Sequence, residues 1–157
     1  MIRNARQYRI TQAQVAKLEQ ALAQVMAGEE RVAFIHPRLR QAERDALQSQ
    51  ITDLREQLAE YDALRTRKRP VLHLKSFEEL PRALIQARIA AGISQKELGK
   101  RLGLKEQQIQ RYEATDYASA SLARVHAVIR ALGLQVHEEV ILPKPQSMVA
   151  EGEEQPT

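Results

Sequence analysis

The sequence predicts an all-α protein. Aromatic residues make up only 4% of the chain and Trp is absent. Ala, Leu, Gln, Glu and Arg, all good helix formers, dominate. Most segments repeat their apolar residues at spacings of three and four. A chain of 157 residues is long enough for one small compact domain plus an accessory segment. The pattern divides that way: a helical hairpin or coiled-coil segment over residues 1–68, a linker over 69–75, a compact helical domain over 76–142 and a polar tail over 143–157.

The first helical pattern starts at Thr11, which with Gln14 makes a T-x-x-Q capping box. It continues through Val15, Leu18, Leu22 and Val25 and stops at Gly28. Residues 29–35 read as extended or turn-like. Pro37 then stands at a favoured first helical position and opens a long polar helix running to about Arg65. Within it Leu47, Ile51, Leu54, Leu58 and Tyr61 follow a four-three spacing, one narrow apolar stripe that needs a partner helix. That partner is either the first helix of the same chain, a sister subunit or another protein.

Pro70 breaks the helical pattern, and the alternation of Val71, Leu72 and Leu74 marks the domain boundary. The basic cluster Arg65, Arg67, Lys68 and Arg69 just before it reads as a solvated linker or a phosphate-touching arm. Ser76 and Glu79 make a second capping box ahead of Leu80, Leu84, Ile85 and Ile89, a helical face closed by Gly92. Further helices are expected from Ser94 to Leu102, from Lys105 to about Ala114 and from about Ser121 to Leu132, closed by Gly133, so that five short helices fill residues 76–134. Beyond them QVHEEVIL reads as a short strand or a dimer-contacting extension, and the Pro-, Glu- and Gln-rich residues that follow read as a disordered tail.

Cysteine is absent, which excludes a disulfide framework and a thiolate metal site. No run approaches the ~20 apolar residues that span a bilayer, and the charged N-terminus lacks a signal-type apolar core. A cytoplasmic protein is expected, without membrane contact. Net charge is +4, but residues 1–75 carry 14 basic and 9 acidic side chains, residues 76–135 carry 9 and 6, and residues 136–157 carry 1 and 5. The basic body suits a polyanionic partner. His36, His73, His126 and His137 show no metal-ligand spacing, and no phosphate loop, nucleophile elbow or paired acids occur. No enzyme activity, metal or cofactor is expected.

Function is concentrated between Ser94 and Glu113. Ser94 and Glu97 form a third capping box, with Gln95 in the first turn facing a potential anion such as a DNA phosphate. Leu98 and Leu102 lie four apart on the inner face, Gly99 lets the next helix cross closely, and Gly103 supplies the left-handed turn. In the following helix Ile109 and Tyr112 face inward, leaving Lys105, Glu106, Gln107, Gln108, Gln110 and Arg111 on the other faces. Amide and guanidinium groups make bidentate bonds to adenine and guanine edges in the major groove, which admits a helix.

These residues carry a resemblance. Residues 80–134 resemble the Cro and phage-repressor (XRE-type) helix-turn-helix family, whose pattern S-Q-x-x-L-x-x-x-L-G-x-x-x-x-x-I-x-x-x-E is met by Ser94, Gln95, Leu98, Leu102, Gly103, Ile109 and Glu113. The resemblance implies a five-helix, lambda-repressor-like DNA-binding domain whose third helix enters the major groove. It places Glu106, Gln107 and Arg111 at base edges, Lys105 and Gln108 at phosphate or base, Gln95 at phosphate, and Glu113 in a position that braces the fold. Gly99 departs from the family's usual Ala, at a cost of ~1 kcal/mol in helix stability, and Lys105 from its usual Ser or Thr cap. Glu106 fits a phosphate-rich surface only by accepting from a cytosine amino group or pairing with a neighbouring Arg or Lys. The expected function is that of a sequence-specific repressor on double-stranded DNA, acting as a homodimer because one such domain covers only a half-site. The alternative is an antitoxin of the HigA kind, which neutralises a toxin protein and autoregulates its operon.

Overall fold

A computed structural model describes residues 1–28, 36–66 and 71–143. Among them every regular element is helical: α1 (Ala5–Ala27), α2 (Pro37–Arg65), α3 (Leu80–Ala90), α4 (Gln95–Leu102), α5 (Glu106–Ala114) and α6 (Leu122–Leu132), with a 3-10 turn, Phe77–Glu79, ahead of α3. The five helices expected over 76–134 are thus four α-helices and one 3-10 turn. The residues 29–35, the cluster residues Arg67, Lys68 and Arg69, and the tail from 144 onward lie outside the described residues.

α1 starts earlier than the capping box at Thr11 predicts. The extended Asn4 is the cap, and its Oδ1 accepts from the Gln7 backbone N–H at 2.9 Å. The early turns, Ala-Arg-Gln-Tyr-Arg, are good helix formers, so Thr11 falls in a helix interior. Their apolar residues serve the other end of the molecule, which is why the seam periodicity does not reveal them. α2 begins at Pro37 as expected, with His36 Nδ1 accepting from the Arg38 N–H at 3.2 Å.

α1 and α2 pack against each other within the chain. Val15 and Ile51 are buried in their seam, whereas Leu47, Leu54 and Leu58 are half-buried. Arg55 meets Glu19 at 2.5 Å across the seam, and near its base Tyr8 donates to Asp62 at 2.8 Å while its ring lies 5.0 Å from that of Tyr61. The intrachain hairpin is therefore the partner that the α2 stripe required.

The core of the second half gathers Leu84, Ile85 and Ile89 of α3, Leu98 of α4, Ile109 of α5 and Val128 of α6. The same cluster takes in Ile2, Tyr61 and Leu64 from the base of the hairpin. Apolar burial at about 25 cal/mol per Å² therefore ties the hairpin to the compact domain directly, and the linker is not the only connection. Ser76 makes no side-chain cap bond; Glu79 instead accepts from the Lys75 N–H at 2.9 Å, so the second capping box does not form. Pro81 in the first turn of α3 removes a donor that would otherwise need a cap. Residues 134–143, expected as a strand or an extension, have no regular structure and leave Val140, Ile141 and Leu142 exposed.

Candidate nucleic-acid interface

The functional segment folds from its own signals. Ser94 Oγ accepts from the Glu97 N–H at 3.0 Å and starts α4. Gly103, at φ 66°, ends it in the left-handed region. The Leu104 N–H then donates to the Gly99 carbonyl at 2.8 Å, which pulls the turn back over the helix. The approach is so close that a Cβ on Gly99 would lie 2.7 Å from the Leu104 carbonyl oxygen. Gly99, which by helix propensity is only a cost, is what lets the turn seat. Lys105 caps α5 in extended conformation, and the Gln108 side chain reaches back to accept from its N–H at 3.0 Å.

On α5 the inner face is Ile109 and Glu113, four apart and both fully buried. Gln107 and Arg111, also four apart, stand about 200° around the helix from them and are exposed. Among the described residues the side-chain donors of Gln107, Arg111 and Lys105 have no hydrogen-bond acceptor, so they remain available. Glu106 and Gln110 are also exposed but bond to each other, Gln110 Nε2 donating to Glu106 Oε1 at 3.2 Å. Gln108 has used its oxygen in the cap and keeps its NH₂ group.

Gln95 is the first residue of α4, as expected, but its side chain does not face outward. It is 5% exposed, and its amide is turned inward: Nε2 donates to Glu113 Oε2 at 2.7 Å and Oε1 accepts from Asn4 Nδ2 at 3.1 Å. The cause is a buried charge. Arg88 of α3, 2% exposed, donates to Glu113 from Nε at 2.5 Å and from Nη2 at 2.8 Å. It also donates to the carbonyls of Ile93 at 2.8 Å and Arg3 at 2.7 Å. A fully buried carboxylate is tolerable only when paired and hydrogen-bonded, and the Gln95 amide supplies one of those bonds. Arg88 was not singled out in the sequence. Its signal was there: it falls on the apolar stripe of Leu84, Ile85 and Ile89, where a charge implies a buried partner.

The compact half is thus a helix-turn-helix fold, with α4 and α5 crossing at a glycine-dependent turn and α5 presenting amides and a guanidinium outward. A helix-turn-helix family model matches residues 84–138. Over this segment the chain is similar to the helix-turn-helix domains of the Cro and phage-repressor type, which occur in DNA-binding transcriptional regulators. No curated protein and no solved structure gives a match. Among the described residues no helix is long and apolar enough to cross a membrane, and no group of His, Cys, Asp or Glu could hold a metal ion.

Proposed function

We propose that the protein is a sequence-specific, repressor-type regulator of transcription that binds double-stranded DNA as a homodimer, with α5 in the major groove. The observation that carries this reading is the outward face of α5, where Gln107 and Arg111 sit one turn apart with uncommitted donors above a buried scaffold of Ile109 and Glu113. We assign these two to base edges, Lys105 and the Gln108 NH₂ group to phosphate or base, and Glu106 to a base amino group reached through its free oxygen. Gln95 would serve this surface by its place at the start of α4, its side chain being committed to Glu113.

Dimerisation is supported by an apolar groove of about 410 Å³ that includes Leu72, Leu80, Leu84, Leu134 and Val136 in its lining, next to the uncovered Val140, Ile141 and Leu142. The same chain supplies both a groove and an apolar segment, as a self-complementary interface requires. The antitoxin reading needs a surface for a toxin, and the α2 stripe that was its candidate is covered by α1. The regulator reading is therefore the one we favour.

Selection from random duplexes tests it. A defined half-site, repeated at a spacing near one helical turn, is the expected product. Gln107→Ala should then weaken the preferred site by about 1–3 kcal/mol while leaving random DNA nearly unchanged. Equal losses on both duplexes would show that Gln107 does not read a base.

A further inference from the structure

The hairpin lies outside the matched family segment, yet its base borders the face of α5 assigned above to DNA. A cleft of about 360 Å³ opens there, with Arg6 and Arg65 from the hairpin on one side and Ser94, Gln95, Glu106 and Gln110 on the other. Arg6 is in the first turn of α1 and Arg65 is the last residue of α2, so the antiparallel hairpin brings both guanidinium groups to one end. Resting on the DNA-binding reading above, we infer that Arg6 and Arg65 form a second nucleic-acid contact that grips a backbone phosphate of the duplex beside α5.

Three observations converge on this. First, four arginines elsewhere meet an acid: Arg3 with Asp116 at 3.0 Å, Arg55 with Glu19, Arg88 with Glu113 and Arg101 with Glu97 at 3.5 Å. Arg6 and Arg65 are exposed, and among the described residues neither has an ion-pair partner. Two like charges sharing one cleft repel unless an anion lies between them. Second, the single acid lining the cleft, Glu106, can offset only one of the two guanidinium charges, leaving the cleft with an excess of positive charge. Third, the place is right for a phosphate. Glu106 lies about 100° around α5 from Gln107, and Gln110 about 100° from Arg111, so a major groove centred on Gln107 and Arg111 sets one flanking phosphate row over the cleft. Guanidinium groups match phosphate oxygens bidentately, which a pair of lysines does not reproduce in geometry but does in charge.

The contact adds affinity without sequence preference, and the test reads that signature on the full chain. Binding of the selected duplex and of a random duplex is followed by fluorescence anisotropy across a salt series. Each neutralised phosphate adds about 0.9 to the slope of log affinity against log salt. The Arg6→Gln/Arg65→Gln double variant should lower that slope by about 0.9, and so lose about 3.5-fold less affinity than the wild type between 50 and 200 mM salt. It should weaken both duplexes alike. Arg6→Lys/Arg65→Lys should keep the slope, and Lys17→Gln, farther up α1, should not move it. Should the double variant melt early by circular dichroism, Arg6→Gln alone carries the test with half the change. An unchanged slope in a wild-type protein that selects its duplex overturns the inference and leaves the regulator reading intact. A wild type that selects no duplex removes both. Saturable binding of inorganic phosphate, lost in the double variant while the duplex slope is unchanged, would assign the cleft to a free anion and also overturn the contact.

Discussion

Removing the Glu113 carboxylate should be among the most damaging single changes in this protein. Glu113 is 0% exposed and accepts two bonds from Arg88 and one from Gln95. In Glu113→Ala the Arg88 guanidinium, itself 2% exposed, keeps only its bonds to the Ile93 and Arg3 carbonyls and becomes a buried charge without a counter-charge. Breaking a buried pair in this way costs about 3–5 kcal/mol, and the stranded Gln95 donor adds about 1 kcal/mol. Against a total stability of about 5–15 kcal/mol, the loss takes about a quarter of the stability or more. Urea unfolding followed by circular dichroism measures it. A second arm separates charge burial from packing. Arg88→Met/Glu113→Leu removes both charges and keeps apolar volume, so it should recover at least half of the loss. A loss under 1 kcal/mol in Glu113→Ala, or a double variant as unstable as the single one, would refute the view that the buried carboxylate exists to hold Arg88.

Gly99→Ala should gain about 1 kcal/mol in helix propensity but place a Cβ 2.7 Å from the Leu104 carbonyl. The overpacking cost of about 1–3 kcal/mol and the strained Leu104 to Gly99 bond outweigh the gain. The melting temperature should fall, and a rise would show that the turn relaxes freely. Tyr117 is 3% exposed, and its hydroxyl has no partner among the described residues. Tyr117→Phe should therefore stabilise by about 1 kcal/mol, as the desolvated hydroxyl is removed; a lower melting temperature would reveal a bond to that oxygen. Burial, and next the Glu113 charge, push the Tyr117 phenol above its ordinary range. Because the unfolded phenol ionises first, stability is independent of this group below about pH 10 and falls as pH climbs beyond. Stability of the wild type should thus fall above about pH 10 more steeply than that of Tyr117→Phe, as urea titrations at each pH would show.

Much of the molecule was legible in its residues because the signals are local. Ser94, Gly103, Ser121 and Gly133 each cap or terminate a helix through bonds to neighbours within a few residues, and the three-four spacing of Leu98, Leu102, Ile109 and Tyr112 depends on one helical period. The start of α1 was missed because the apolar side chains on either side of its cap, Ile2 and Tyr8, do not follow the seam. Only the tertiary structure could decide where Gln95 points. Its residue type suits a phosphate equally well; what turns it inward is a carboxylate 18 residues later and an asparagine 91 residues earlier. The meeting of Arg6 with Arg65 beside α5 belongs to the same class. Local sequence determines which backbone hydrogen bonds form, and so the helices. Which charges are buried together and which are left facing an open cleft depends on the desolvation and pairing of groups distant in the chain, and these meet only when the helices pack.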